Sequence, residues 1–189
     1  MTDTQKKPLW KNELVWLFLL TSGLFAILYS KFILGGYAYV FTDTGADTMQ
    51  INYAQYGLFS SLFRSGESGY VLQAGLGMDV SSYYPAYLIP YNLLILLAPQ
   101  RLLPWAVLAS AYLKMITISL VGYLFYRKLM QDGIGTMAAA LAWTFSGYVI
   151  LWGQHYGFCT CMALFTVFMY FLQCYLNGEQ RWKSAGLVL

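Results

Sequence analysis

The chain has 189 residues, of which 59% are hydrophobic and only 10% are charged. A soluble domain has about 45–50% apolar and about 25% charged residues, so this composition excludes an ordinary cytosolic domain and a disordered chain. The net charge of +3 provides no basic patch for nucleic acid, and three cysteines are too few for a disulfide framework or a zinc site, so we expect an integral membrane protein with several spans.

The first predicted span covers about residues 13–34. Residues 14–30 carry no charge, and Lys31 can extend its ammonium to the membrane surface while the helix continues. A cleaved signal peptide is the alternative, because three lysines precede the apolar run. The run is long for a signal peptide and no clear Ala-x-Ala site follows it, so we expect an uncleaved helix that starts from a cytoplasmic N-terminus.

The long connection after the first span, residues 35–102, is predicted to be an outer loop, and it contains half of the eight acidic residues. Within it, residues 47–64 are predicted to form an amphipathic helix along the membrane surface. Its apolar face is expected to contain Ile51, Ala54, Leu58 and Leu62, with Gln55 and Phe59 beside them. The positions elsewhere on the helix are Gln50, Tyr53, Tyr56 and Ser60.

Asp47, at the start of this helix, has two interpretations. It could cap the helix, because Asp47 and Gln50 imitate a capping box. It could also be a carboxylate that is held at the membrane surface as a general base.

The distribution of basic residues predicts whether the proline-rich residues 83–99 cross the membrane. With a cytoplasmic N-terminus and no crossing, seven Lys and Arg residues lie inside and two lie outside; with a crossing, the numbers become four and five. Lys and Arg favour the cytoplasmic side. We therefore predict that residues 83–99 form a re-entrant or interfacial segment on the outer face.

The later spans are predicted at about residues 103–126, 134–152 and 158–176, with another from 185 onward. The 46 residues 133–178 contain no Asp, Glu, Lys or Arg and are long enough for two crossings. Residues 1–189 are thus predicted to be a single all-α membrane domain, a polytopic transmembrane helical bundle. The unfinished apolar run at residues 185–189 leads us to expect the N-terminal fragment of a longer protein.

Lys114 lies near the middle of the second predicted span, where an ammonium usually has a partner or faces a cavity. It either pairs with a loop carboxylate or binds a lipid phosphate, and the sequence leaves both open. His155, the only histidine, is predicted in an outer turn on the side of Asp47, where it is either incidental or part of a site. The three cysteines, all in the fourth span, are predicted to pack there: Cys159, Cys161 and Cys174.

The order and spacing of several short motifs resemble the N-terminal part of the YfhO family of bacterial membrane proteins, and the overall plan resembles the GT-C glycosyltransferases. The motifs are Gly45-Ala46-Asp47-Thr48-Met49-Gln50, Gly75-Leu76-Gly77, Tyr83-Tyr84-Pro85-Ala86-Tyr87, Pro90-Tyr91-Asn92-Leu93-Leu94, Leu113-Lys114 and Phe145-Ser146-Gly147-Tyr148. The resemblance implies a GT-C-like fold in which the loop after the first span is extracytoplasmic and carries interfacial helices. It also implies a multi-pass protein of the bacterial cell membrane.

The activity implied by the resemblance is transfer of a sugar from a polyprenyl-phosphate carrier to an extracytoplasmic cell-wall polymer such as a teichoic acid. Asp47 matches the loop acid of the family and would take the proton from the acceptor hydroxyl. The implied partners are the lipid-linked donor, the polymer and the bilayer, and a divalent ion is an alternative source of positive charge at the leaving phosphate. The residues expected to bind substrate are Lys114, His155, Arg64, Gln50, Tyr53, Tyr83 and Tyr84.

Two other functions stay open from the sequence: a polytopic transporter or flippase, and an inactive truncated membrane protein. Transporters often contain paired helices that are interrupted within the membrane. The one interrupted segment predicted here lies outside the spans, which favours the enzyme.

Overall fold

The computed structural model describes residues 12–41, 47–67, 69–72, 77–81, 89–130 and 132–179. Its helices, in chain order, are α1 (Glu13–Leu28), α2 (Ser30–Leu34), α3 (Ala54–Ser65), α4 (Leu93–Leu97), α5 (Leu103–Leu129), α6 (Gly133–Thr144), α7 (Gly147–Trp152) and α8 (Tyr156–Leu176). A π-helix, Thr48–Tyr53, continues into α3, and the 3-10 helices Pro90–Asn92 and Gln100–Leu102 precede α4 and α5. Two short strands, β1 (Tyr70–Val71) and β2 (Met78–Asp79), pair antiparallel. The predicted helical class is confirmed.

Three helical stretches are long and apolar enough to cross a membrane: Gln100–Leu129, Gly133–Trp152 and Tyr156–Leu176. Each has a mean hydropathy of at least 1.5. They occupy the positions of the second, third and fourth predicted spans. The span predicted from 185 onward lies outside the described residues. Helix length and composition therefore support a membrane-embedded helical protein.

Two of the predicted spans are interrupted within the bundle. α1 has 16 residues, and Tyr29 leaves helical geometry before α2 completes the region 13–34. In the third span, α6 ends at Thr144 and α7 starts after Ser146, whose backbone is extended. The Ser146-Gly147 pair explains this break, because adjacent Ser and Gly are common at sharp helix kinks. The expectation that interruptions lie only outside the spans is wrong.

α1 packs against the central helix α5 through a narrow stripe. Its buried residues, Leu17, Thr21 and Phe25, are four positions apart and therefore share one face. Within this interface the hydroxyls of Thr21 and Ser119 form a buried hydrogen bond of 2.7 Å. Most other apolar side chains of α1 are exposed. A helix that is apolar all round but buried along one stripe is suited to contact with lipid on its other faces.

Contacts between helices define two ends of the bundle. The charged end contains Glu13, Tyr123, Lys128 and Glu179; there Tyr123 donates a hydrogen bond to Glu13, and Lys128 pairs with Glu179. The aromatic end contains Tyr29, Tyr39, Tyr56 and Tyr156, whose rings pack in one core cluster. The polypeptide runs from the charged end to the aromatic end in α1, returns in α5, and alternates again through α6–α7 and α8.

The helix predicted at residues 47–64 exists, but of its predicted apolar face only Leu62 is buried. Its buried residues after the π-helix are Tyr56, Phe59, Ser60 and Leu62, whereas Ile51 is 48% exposed. Ala54 is exposed as well, and Leu58 is half-buried. A π-helical turn contains about one residue more than an α-helical turn, so the faces before and after it do not follow a continuous 3.6-residue period. This shift concerns Ile51; within α3, which keeps the ordinary period, the buried side includes the residues that pack against α4.

The described part of the segment predicted to be re-entrant contains only a short helix. α4 has five residues, or about 7.5 Å of helix at ~1.5 Å per residue, and cannot cross a bilayer. It packs against α3, where Leu96 and Phe59 are fully buried in one cluster. The Ser60 hydroxyl donates a 2.6 Å hydrogen bond to the carbonyl of Ala98. This geometry fits the prediction of a segment that stays on one side.

Local signals in the sequence account for the helix ends. Asn12 caps α1 and Asp132 caps α6, each by accepting hydrogen bonds from backbone N–H groups of the first turn. Gly66 follows α3 and Gly178 follows α8, both with φ near +70°. Glycine adopts this left-handed conformation without steric cost, which explains why α3 and α8 each end near a glycine.

Candidate functional site

An open cavity of about 450 Å³ lies where the π-helix meets the turn between α7 and α8, and we call it the Asp47 cavity. Its lining residues are Asp47, Ile51, Asn52, His155, Gly157, Phe158 and Cys161. A carboxylate, an amide and an imidazole therefore stand among apolar groups. Such a mixture is typical of sites that bind a partly polar small molecule. Of the predicted site residues, the structure brings Asp47 and His155 together here.

The π-helix places Asp47 and Asn52 on the same side. The Asn52 amide donates a 3.3 Å hydrogen bond to the backbone carbonyl of Asp47, five residues earlier. Asp47 itself has helical dihedral angles, and its side chain makes no capping hydrogen bond to the π-helix. The capping-box interpretation is therefore wrong. π-helical turns are rare and often occur at functional sites, which draws attention to the Asp47 carboxylate.

A buried threonine fixes the π-helix to the turn that contains His155. Thr48 is fully buried, and its hydroxyl donates a 3.4 Å hydrogen bond to the carbonyl of Gln154. Thr48 follows Asp47 and Gln154 precedes His155 in the chain. This single contact therefore joins the two segments that bring the carboxylate and the imidazole to one cavity.

Lys114 lies behind the wall of the Asp47 cavity. It is 2% exposed, and its ammonium donates a 3.2 Å hydrogen bond to the carbonyl of Tyr156. The Thr160 hydroxyl donates to the same carbonyl at 3.2 Å. Within the part of the chain that the structure describes, Lys114 forms no ion pair with a carboxylate. The predicted pairing with a loop acid is thus not formed there, and Lys114 does not line the cavity.

Tyr156, the first residue of α8, connects the outer segment to the bundle. Its ring stacks on Tyr56 with centroids 5.3 Å apart, and its hydroxyl donates a hydrogen bond to the backbone carbonyl of Tyr39. Tyr56 in turn donates to Asn92 at 3.4 Å. Burial, together with the neighbouring Tyr29, raises the pKa of Tyr39 far above its ordinary value, so this phenol stays neutral. These contacts fix the start of α8, whose neighbouring residues His155 and Gly157 line the cavity.

The other predicted site residues lie apart from the cavity or beyond the described part of the chain. Gln50 is exposed, and half-buried Tyr53 packs against the core, where burial raises its pKa. Arg64 is exposed in the last turn of α3, roughly 25 Å from Asp47 at ~1.5 Å of helix per residue. The structure does not bring Arg64 to the cavity. The predictions for Tyr83 and Tyr84 fall outside the described residues.

Among the cavity residues that sequence reasoning missed, two carry an amide or a thiol, Asn52 and Cys161. Asn52 was hidden because it follows Asp47 by five positions, whereas an α-helix brings positions three or four apart together. Cys161 was predicted to be packed, like Cys159 and Cys174, but it is exposed while the other two are buried. The signal for this difference was available, because Cys161 stands two residues from Cys159 and therefore on another face of the helix.

A divalent ion was an alternative source of positive charge at the site. Among the described residues, no group of three or more His, Cys, Asp or Glu side chains could hold a metal ion. The cavity offers one carboxylate, one amide oxygen and one imidazole. The metal thus stays a prediction without assigned ligands.

No family model, curated protein or solved structure matches this chain. The resemblance to the YfhO and GT-C proteins therefore rests on the sequence motifs alone. The functional argument consequently depends on the chemistry of the Asp47 cavity and its place at the aromatic end of the bundle.

Proposed function

We propose that the chain belongs to a membrane glycosyltransferase of the GT-C-like plan, related to the YfhO proteins, in a bacterial cell membrane. It moves a sugar from a polyprenyl-phosphate donor to an extracytoplasmic cell-wall polymer such as a teichoic acid. In this proposal the N-terminus is cytoplasmic and the Asp47 cavity opens to the exterior. The supporting observation is that Asp47 and His155, 108 positions apart, line one cavity at the end of the apolar helices.

The sugar transfer requires one general base and one group that stabilises the leaving phosphate. The Asp47 carboxylate accepts the proton of the acceptor hydroxyl while the hydroxyl oxygen attacks the anomeric carbon. The bond between this carbon and the phosphate oxygen breaks, and the phosphate leaves with the electron pair. An N–H of His155 can donate to the departing oxygen, and the Lys114 ammonium behind the wall adds positive charge.

The composition of the cavity supports a lipid-linked substrate. Its polar groups suit a sugar and a phosphate, while Ile51 and Phe158 suit hydrocarbon. Both of these apolar residues are partly exposed, at 48% and 43%. A site of this kind at the membrane rim can accept a donor from the bilayer and an acceptor from water.

The test uses the full chain in lipid vesicles with radiolabelled polyprenyl-phosphate sugars and a teichoic acid acceptor. Removing a general base typically lowers the rate about 100-fold or more, so we expect Asp47→Asn to lower sugar transfer by at least that factor. The matched control is Asp79→Asn, which changes an exposed carboxylate of β2 outside the cavity. Equal transfer by Asp47→Asn and wild type would contradict the proposed role of Asp47.

One observation favours transport as a second candidate function. Both interruptions within the spans, at Tyr29 and at Phe145–Ser146, lie towards the aromatic end of the bundle. Interrupted helices often surround the substrate site of a transporter. Movement of a fluorescent polyprenyl phosphate across the vesicle membrane, in the absence of any sugar transfer, would support transport and contradict the enzyme.

A further inference from the structure

The Asn52 amide lines the Asp47 cavity and is held at one edge by the π-helix. Its nitrogen donates a 3.3 Å hydrogen bond to the backbone carbonyl of Asp47, and the side chain is half-buried. A side-chain amide carries two N–H donors and one carbonyl oxygen. Within the part of the chain that the structure describes, one N–H and the carbonyl oxygen of Asn52 therefore remain for a ligand.

The bond to Asp47 also fixes the orientation of this amide. It joins residues five positions apart, so the wide turn of the π-helix determines which atoms of Asn52 are left for the cavity. A planar amide presents a donor and an acceptor side by side. Two hydroxyls on neighbouring carbons match this pattern, because one donates to the carbonyl oxygen while the other accepts from the N–H. A lone hydroxyl satisfies only one of the two atoms with good geometry.

The two walls of the Asp47 cavity have different tasks in the proposed reaction. One wall is the π-helix and the residue before it, with Asn52 and Asp47; the other is the start of α8 and the turn before it, with Cys161 and His155. Asp47 takes the proton of the acceptor, and His155 donates to the leaving phosphate of the donor. The acceptor therefore lies against the π-helix wall, and Asn52 is on the acceptor side.

We propose that Asn52 is a specificity-determining residue that binds a pair of neighbouring hydroxyls of the acceptor, beside the hydroxyl that Asp47 deprotonates. This inference rests on the proposed function and narrows its acceptor to a polyol with neighbouring hydroxyls. A site that is built to bind a substrate hydroxyl discriminates against a substrate that lacks it, because the polar group of the site then loses its partner.

The first measurement compares sugar transfer to two polymers by the full chain in vesicles. Poly(ribitol phosphate) has neighbouring hydroxyls in each unit, whereas the hydroxyls of poly(glycerol phosphate) stand alone between phosphates. Wild type should use the ribitol polymer about tenfold better in kcat/KM, the effect of one or two hydrogen bonds. Asn52→Ala should reduce this preference to less than about twofold, because the amide is absent.

The matched control is Asn177→Ala. It changes an exposed asparagine after α8 that accepts a hydrogen bond from Gln173, and it should keep the preference of wild type. The ratio between the two polymers also separates selection from a structural role. If Asn52 only supported the π-helix, Asn52→Ala would lower transfer to both polymers by the same factor and leave the ratio unchanged.

The second measurement does not require catalysis. The exposed thiol of Cys161 lines the Asp47 cavity, so a ligand there should slow its alkylation by a maleimide, while the buried Cys159 and Cys174 are spared. In wild type, the ribitol polymer should protect Cys161 at about tenfold lower concentration than the glycerol polymer. Cys161→Ala identifies the alkylated site. This comparison needs only wild type and therefore tests the inference even if Asn52→Ala does not fold.

Equal protection by the two polymers, or an unchanged ratio in Asn52→Ala, would overturn the inference. The proposed function fails separately. If no sugar is transferred but the ribitol polymer still protects Cys161 better, the cavity binds a polyol and the glycosyltransferase assignment is wrong. If both polymers are glycosylated equally well, the enzyme assignment stands and Asn52 does not select the acceptor.

Discussion

The two ends of the helical bundle are held together by different chemistry. At the charged end, side chains pair with side chains: Lys128 with Glu179, and Tyr123 with Glu13. At the aromatic end, stacked rings are buried, and polar side-chain atoms also bond to backbone carbonyls, as in Tyr156 to Tyr39 and Lys114 to Tyr156. Ion pairs between partly exposed charges are weak and depend on salt. The stabilisation that comes from burying aromatic area does not depend on the pairing of charges.

The Asp47 cavity lies at the aromatic end, where Asp47 and His155 line it. The His155 ring also packs against Trp152 and Phe158 there. At the charged end, by contrast, the carboxylates of Glu13 and Glu179 are already engaged with side chains of α5.

The largest effect is expected at the aromatic end, from Tyr156→Ala. The substitution removes a buried ring that stacks on Tyr56, and truncation of a buried aromatic residue costs about 3–5 kcal/mol of unfolding free energy. Unfolding in mixed detergent micelles measures it. The control Tyr175→Ala changes a 63% exposed tyrosine of the same helix and should stay within about 0.5 kcal/mol. Similar losses for both variants would remove the basis of the comparison.

Between the two ends, Thr21→Val should cost about 1–3 kcal/mol. Valine keeps the shape of threonine but leaves the buried Ser119 hydroxyl without its partner. The double variant with Ser119→Ala should recover most of the loss, because both polar groups are then absent. Unfolding of the two variants measured side by side checks this, and a double variant less stable than Thr21→Val would contradict it.

Ser146→Ala is expected to raise stability, by about 1 kcal/mol. The Ser146 hydroxyl is buried and has no hydrogen-bond partner within the described part of the chain, as is also true of Ser110. Removing an unpaired buried hydroxyl removes its desolvation cost. Ser110→Ala should change stability in the same direction. A clear loss in both variants would mean that the two hydroxyls bond to groups beyond the described residues.

At the charged end, Glu179→Gln should cost no more than about 1 kcal/mol. The pair with Lys128 is partly exposed, with 15% of the lysine side chain and 29% of the glutamate side chain accessible, and solvent screens it. The loss should shrink at about 1 M salt, where the Debye length is ~3 Å. A larger loss that does not depend on salt would show that the two ends are held alike.

The smallest effect concerns Asp79, in the outer segment. Hydrogen bonds from the side chain and the backbone N–H of Ser81 lower the pKa of Asp79 below its ordinary value of 3.8. Because the folded pKa is the lower one, the stabilisation is present above pH 3.8 and is lost as the pH falls through the folded pKa. Ser81→Ala should move the pKa of Asp79 part of the way back, as a carbon-13 NMR titration would measure.

The sequence predicted the fold class and the positions of the apolar helices, because the length of an apolar stretch follows directly from the residue types along the chain. It also predicted that Asp47 and His155 lie on one side, although their shared cavity depends on the packing of Thr48 and Tyr156. The face of the π-helix could not be predicted, since it changes the period without a sequence signal such as proline, and the buried face of α3 depends on its tertiary contact with α4. Similarly, the position of Lys114 behind the wall depends on a backbone carbonyl, which no side-chain pattern reveals.

The wide turn at Thr48–Tyr53 has a consequence for evolution and for protein engineering. Winding the same six residues as an ordinary α-helix would remove the wide turn, and α3 could keep its buried rings in place. Everything before the segment would then turn by about 100° around the helix axis, because the wide turn takes up about one extra residue. The carboxylate of Asp47 would point away from His155, so substitutions that favour the α-helix could silence the site in a protein that still folds, whereas deletion of one residue would keep the two faces aligned.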